Sequence, residues 1–411
     1  MLKIKNHKVI FETKLSNISG YFAKILYIYL FFFQFLSKIS ESKIKTKKLL
    51  KVEYNDIQEF INKILAEKNK PIKFFNKVNS PRISIIIPLF NGERYIKTAL
   101  LSIQNQDLTD IEIIMIDDCS EDNTINIVKE FMEKDKRIIL YQNEENKGTL
   151  YTKVKGFFYS NSKYVMLLDE DDMFVQKDAF STLYFEAEKY NLDMVGFSSI
   201  LDATFHVKKD KKNIYHYYRT PVIYQPEVKN ENLVYRKNGE IQRVGHVIWV
   251  YFYKTELFKQ VIKQIDSKYM NTKMICHEDF MLLFLLTRKA FNLKQMNRIF
   301  HIKIKWGYET NYHSKVKNES LANNLFCLSY INYIEFILMK TDNNINDKKI
   351  ASFELKSWLL DNKCRNNSFI KKRAENICKI FLKNRYIENK MKKEIRKFLN
   401  NKTKFTKETI V

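Results

Sequence analysis

From residue 81 the chain alternates short unbroken apolar runs with segments whose apolar positions recur every three or four residues. Ile83–Leu89 (ISIIIPL) is continuous and β-branched, the mark of a buried parallel strand. Ile96, Ala99, Leu100 and Ile103 then fall on one face of a helix. Ile111–Ile116 predicts a second buried strand ending in Asp117–Asp118. Thr124, Ile127, Val128 and Phe131 predict a second helix, with Ser120 or Asp122 placed to cap it. A short strand over Ile138–Tyr141, a helix over 148–161 and a fourth strand, Tyr164–Leu168, complete the alternation. This order predicts a mostly parallel sheet with helices on both faces, and ligands at the carboxyl ends of its strands. Further strands are expected over Leu192–Leu201 and Gln242–Tyr253. A helix opens near Glu278–Asp279, and several charged helices follow from about Glu319 to Asn400.

The expected organisation is a basic N-terminal region over 1–80, an α/β domain over 81–310 and a basic helical region over 311–411. Within the first lies Ile18–Leu36, apolar except for Lys24, Gln34 and a few small polar residues. Nineteen residues in a helix reach about 28 Å, just short of a hydrocarbon core. The segment is therefore expected to anchor the protein in a membrane as a single pass; the alternative is an amphipathic or buried helix in a cytoplasmic protein. Six lysines follow it closely, against four before it, a slight bias towards a cytoplasmic C-terminal side.

Composition narrows the partners. The net charge of +24 suggests nucleic acid or anionic membrane, but residues 81–363 carry only +3 of it, and 59 of the 71 basic residues are Lys. Arginine is the better bidentate phosphate reader, so nucleic acid is disfavoured. Five scattered cysteines fit neither a disulfide framework nor a zinc site. The chain has no GxGxxG, GxxxxGK[ST], HExxH or GxSxG, which removes four common enzyme signatures.

Two acid clusters end strands. Asp169-Glu170-Asp171-Asp172 sets four carboxylates at the end of an apolar run, costly without a cation among them and suited to Mg²⁺ or Mn²⁺. Asp117–Asp118 offers acceptors for a base NH or a ribose hydroxyl, or a cap for the next helix. Glu278–Asp279, at a helix start, is either a cap or a general base.

These pieces together resemble a family 2 glycosyltransferase with the GT-A fold. The resemblance runs from Ser84-Ile-Ile-Ile-Pro88-Leu-Phe90-Asn91 and Ala99–Gln106 through Asp117-Asp118-Cys119-Ser120-Glu-Asp122-Asn-Thr124, Asn146-Lys-Gly148, Lys153 and Gly156. It closes on Asp169-Glu170-Asp171-Asp172 and Glu278-Asp279, covering about residues 81–310. It implies transfer of a sugar from a nucleotide-diphosphate donor, usually a uridine diphosphate sugar, with inversion. Pro88, Phe90, Asn91, Glu93, Asp117 and Asp118 would line the nucleoside pocket. Lys153 would contact phosphate, although Thr152-Lys153-Val154 stands where the family often has Ala-Arg-Asn. Asp169 and Asp171 would form the DxD pair at the ribose and the metal-bound diphosphate, with Asp172 close by, and Asp279 would be the base. Glu170 replaces the usual small residue. Without a QxxRW motif, transfer of single sugars to a glycan, protein or lipid hydroxyl is expected. Trp249, Tyr251, Tyr253, His277, Trp306 and Tyr308 could give aromatic faces to an acceptor or simply pack in the core. The alternatives are a nucleotidyltransferase on a related core, disfavoured by the Leu89-Phe90-Asn91-Gly92 loop, a binding protein acting through its basic flanks, and a non-catalytic sugar-binding relative.

Overall fold

Apolar runs with no polar alternation need cover on both faces, and the central strands have it. Strands β1 (Ile83–Leu89) and β2 (Ile111–Asp117) are buried at every position. With β3 (Ile138–Gln142) and β4 (Tyr164–Leu167) they form the parallel half of a nine-stranded sheet, in the order β3-β2-β1-β4. The computed structural model describes residues 2–5, 8–11, 56–57 and 59–201, strand pieces at 208–209, 215–216, 222–224, 235–237 and 240–242, then 248–272, 274, 277–303, 319–340, 355, 371–383 and 389–400. The apolar segment 18–36, Trp306 and Tyr308 lie outside the described residues.

The crossovers are helical: α1 (Ile96–Gln104), α2 (Thr124–Lys134) and α3 (Thr149–Tyr159). Helix α3 lies close on the sheet because Gly156 has no side chain; a Cβ there would fall 2.3 Å from Ile86 Cγ2. The chain runs outward from β1 to β3, then returns through α3 to β4 on the other side of β1. That reversal opens a crevice beyond the carboxyl ends of β1 and β4.

The other half of the sheet is mixed. Strand β5 (Met173–Phe174) and helix α4 (Ala179–Tyr190) lead to β6 (Met194–Leu201), and β7 (Val222–Tyr224) pairs with β6. Strand β8 (Tyr251–Lys254) lies antiparallel between β4 and β6, and β9 (Leu293–Lys303) runs parallel to β6 and antiparallel to β5. The long strand expected over Gln242–Tyr253 is broken. Ile248–Val250 forms a 3-10 turn, to which the Tyr253 hydroxyl donates at the Ile248 carbonyl (2.8 Å), and the sheet strand begins at Tyr251. Trp249, Tyr251 and Tyr253 are 2% exposed or less, so these rings fill the core rather than face an acceptor.

Helices α5 (Thr255–Ile262) and α6 (Glu278–Lys289) follow β8, and α7 (Glu319–Lys340) packs on α6 through the Phe284–Phe336 ring pair. Two basic helices, α8 (Lys371–Lys383) and α9 (Asn389–Asn400), come last, with Arg373 of α8 paired to Glu335 of α7. The chain divides into two compact units, Met1–Gln58 and Glu59–Val411. The first contains a hairpin of Leu2–Lys5 with Lys8–Phe11. In the second, residues before the sheet are bound to it: Phe75 exchanges backbone hydrogen bonds with Lys134 and Lys136, and the Arg137 guanidinium sits 3.6 Å over its ring. Among the described residues no helix is long and apolar enough to cross a membrane, and Cys119 and Cys378 are free thiols.

Candidate active site

Two loops wall one side of the crevice, and they are laced together. Asn91 follows β1 in the left-handed region (φ 55°), which its short amide side chain tolerates. Its N–H donates to Ser120 Oγ (2.9 Å), and its Oδ1 accepts the Glu121 N–H (2.7 Å). The Gly92 N–H donates to Thr124 Oγ1 (2.7 Å), and the Glu93 N–H to Asp122 Oδ2 (3.1 Å). In return Glu93 Oε2 accepts the Asn123 N–H (2.9 Å). Asp122 Oδ1 also accepts the Thr124 N–H (3.0 Å), so Asp122 holds the first turn of α2 while Ser120 serves the neighbouring loop.

Asp117 and Asp118 sit at the buried end of β2. Ser120 N–H reaches both Asp117 carboxylate oxygens, at 3.2 and 3.3 Å. The Asp118 carboxylate accepts three hydrogen bonds from the chain: Asn143 Nδ2 (2.8 Å) and the Lys147 N–H (2.7 Å) on Oδ1, and the Gly148 N–H (2.8 Å) on Oδ2. It therefore pins the Asn146-Lys147-Gly148 turn, and with it the start of α3. Pro88 is buried inside β1, opposite Ile116, whereas Phe90 and Asn91 are half-buried and Glu93 is exposed beside the crevice.

Across the crevice, β4 ends in the acidic turn. Carboxylate oxygens of Asp169, Asp171 and Asp172 lie within 4.8 Å of one another. Three converging acceptor-only oxygens form a hard donor set that fits Mg²⁺ or Mn²⁺. The crowding is felt by Glu170, which burial, then the charges of Asp171 and Asp169, push well above the usual carboxylate range. Glu170 also abuts the first loop, since a Cβ on Gly92 would fall 2.7 Å from its Cγ. Asp172 is backed by His301 of β9, whose Nε2 lies 3.3 Å from its Oδ2, both side chains fully buried. The His301 ring stacks on Trp249 (4.4 Å between centroids), and its Nδ1 pairs with Ser199 Oγ at 2.9 Å.

The third wall is the start of α6. Lys153, pointing from α3 with its side chain 3% exposed, reaches Asp279 Oδ1 (2.7 Å), Glu278 Oε1 (3.2 Å) and Asp169 Oδ1 (4.0 Å). Burial works against its charge, but Asp279, Glu278 and Asp169 outweigh it and hold the ammonium well above the ordinary lysine range. Burial is also the largest influence on Asp279. It pushes that carboxyl up to about 6, with Glu278 and Asp169 adding to the shift and Lys153 opposing it. Asp279 Oδ2 receives a long contact, 3.4 Å, from the Ile248 N–H. His277, the residue before α6, is left-handed (φ 66°, ψ 3°), a conformation that costs a residue with a Cβ about 1–3 kcal/mol. Its ring lies parallel to Tyr330 of α7 at 4.3 Å, so that face is already covered.

The structure thus brings Lys153, Asp169, Asp171, Asp172, Glu278 and Asp279 into one acidic pocket, and sets Asn91, Glu93, Asp117 and Asp118 in the loops opposite. Sequence reasoning does not single out Asn143, Ser199 or His301. A histidine inside the apolar run Ile299-Phe300-His301-Ile302 is the available signal for the last; Asn143 and Ser199 carry none without the fold.

Comparison with known proteins agrees with this geometry. Residues 84–269 match the model of glycosyl transferase family 2. Over 230 residues the chain is 26% identical to the glycosyltransferase GlyA of Streptococcus pneumoniae, covering 54% of this chain and 31% of that protein. Over 110 residues it is 37% identical to the GalNAc(5)-diNAcBac-PP-undecaprenol beta-1,3-glucosyltransferase of Campylobacter jejuni, covering 26% of this chain and 35% of that one. The chain thus spans about a third of the length of these relatives. Among solved structures, S. aureus TarS 1-349 superposes with a TM-score of 0.52 at 17% identity, covering 76% of this chain and 83% of that one. The same TarS fragment in complex with UDP-GlcNAc gives 0.52 at 16% identity, with the same coverage. At such identity these structures share the fold.

Proposed function

Because residues 84–269 match the model of glycosyl transferase family 2, we propose that this protein transfers a single sugar from a uridine diphosphate donor to a hydroxyl acceptor, inverting the anomeric carbon. The observation that carries the reading is Lys153, which ties the carboxylates of Asp279 and Glu278, more than 120 residues away in sequence, to Asp169 at the end of β4. The crevice so formed has donor-side loops on one wall and a base opposite. Crystallisation of the TarS fragment with UDP-GlcNAc supports the choice of donor class.

Each residue then has a task. Asn91, Glu93 and the Asp117–Asp118 turn shape the nucleoside end of the crevice. Asp169, Asp171 and Asp172 would hold Mg²⁺ or Mn²⁺, whose charge offsets that gathering on the diphosphate as it leaves. Asp279 accepts the acceptor's proton while the acceptor oxygen bonds to the anomeric carbon and the glycosidic electron pair departs with the diphosphate. Oδ1 of Asp279 is held by Lys153, which leaves Oδ2, with its long backbone contact, as the oxygen that takes the proton. A carboxylate near 6 is mostly ionised at neutral pH and more basic than an ordinary aspartate. One base is sufficient for a single inverting displacement, and no covalent nucleophile is required.

The test is turnover of a panel of uridine diphosphate sugars with Mn²⁺, with Mg²⁺ and with chelator. One donor should turn over in a metal-dependent way. Asp279→Asn should lower kcat about 10²–10⁴-fold with donor binding retained. A folded Asp279→Asn protein as active as wild type would overturn the reading.

A further inference from the structure

The base candidate sits at the first turn of α6, ten residues beyond the family-matched segment, and its entry point is strained: His277 is left-handed although it carries a β-carbon. Glycine is the usual solution at such a turn. Here the histidine ring is gripped instead. Tyr330 stacks on it at 4.3 Å and 11°, and Tyr333 follows on behind at 6.1 Å and 21°. Phe326 and Phe280 close its edges at 5.5 and 5.0 Å. Tyr330 and Tyr333 are 6% and 3% exposed, so they are fixed by the packing of α7. The His277 carbonyl accepts the Met281 N–H, and the next two residues are Glu278 and Asp279. The turn that carries the base candidate is thereby packed against a helix outside the matched segment.

We infer that α7 is a positioning element for the active site: Tyr330 clamps His277 in its left-handed turn and so aims Glu278 and Asp279 at Lys153. This rests on Asp279 being the base. His277 and Tyr330 touch no reacting atom; they act by holding the backbone from which the carboxylates project. Small misplacements of a reacting group carry large rate penalties, on the order of 10²-fold per ångström. The donor-side loops and the acidic turn of β4 belong to other elements, so a loosened α6 should leave donor binding intact.

The experiment compares Tyr330→Leu, Tyr330→Phe and His277→Gly in the full chain, with Asp279→Asn alongside. It uses whichever uridine diphosphate sugar the panel identifies and reads UDP affinity by calorimetry. Tyr330→Leu should lower kcat about 10–100-fold while UDP affinity and donor KM stay within about twofold, and Tyr330→Phe, which keeps the ring, should recover most of the rate. His277→Gly accepts the positive φ and keeps the fold, yet has no ring to grip; it should show the same loss of kcat at unchanged thermal stability or better. If Tyr330→Leu does not fold, His277→Gly alone decides. A folded His277→Gly or Tyr330→Leu protein with wild-type kcat overturns the clamp. A fully active Asp279→Asn protein instead overturns the assignment of the base, a separate failure.

Discussion

The ends of β2 and β4 look alike in sequence, each an apolar run closing on aspartates, yet they are opposite kinds of structure. At the end of β2 the Asp118 carboxylate is saturated by neutral donors from Asn143, Lys147 and Gly148. At the end of β4, Asp169, Asp171 and Asp172 crowd one another, with Lys153 at 4.0 Å from the first and His301 at 3.3 Å from the last. One aspartate closes a fold; the other set holds an excess of negative charge on a rigid frame. Carboxylates that can exchange partners suit a passing cation or phosphate, whereas those that cannot suit architecture.

Stability measurements should separate the two ends most sharply. Asp118→Ala strands three donors at a nearly buried site and should cost about 3 kcal/mol or more in urea unfolding. Asp171→Asn relieves a like-charge contact and should change stability by less than about 0.5 kcal/mol while weakening Mn²⁺ binding. Equal losses in both variants would erase the contrast.

A second effect is a shift rather than a loss. Protonated Asp279 is no base, so kcat/KM should fall as pH drops through about 6. Lys153 favours the ionised carboxylate and lowers its pKa; Lys153→Met should therefore move this acid limb upward by about one pH unit, with activity recovering on the alkaline side. A limb that stays in place would mean that Lys153 does not govern the base. The smallest effect on the site itself should come from the shared scaffold. Gly156→Ala forces a methyl against Ile86, an overpacking of about 1–3 kcal/mol partly offset by alanine's better helix propensity. It should lower stability with little change in the metal affinity or the pH limb.

Much of this architecture is legible in the amino-acid order alone. The β-branched and apolar runs at Ile83, Ile111 and Tyr164 demand burial as strands, and their alternation with 3.6-period segments specifies the parallel half of the sheet. The acid clusters are visible because carboxylates after such runs must emerge at strand ends. Partnership is what the amino-acid order does not convey. Nothing local to Asp118 says that its carboxylate is taken up by the Gly148 turn, and nothing near Lys153 says that its ammonium meets residues 278 and 279. Both depend on how α3 crosses the sheet. The break before β8 is hidden for a different reason: Ile248-Trp249-Val250 has strand composition, and only the Tyr253 hydroxyl folding back on Ile248 turns it.

The lacing of the first two loops has a consequence for how such a protein can be altered. Asn91 is bonded to the segment at Ser120 and Glu121, and Glu93 to Asp122 and Asn123, with donors and acceptors running both ways. Neither segment has a shape of its own without the other. They behave as one cassette written in two places along the chain, so on the proposed reading of these loops as the nucleoside end, exchanging residues 91–93 without 120–124 should break the lacing rather than change the preference.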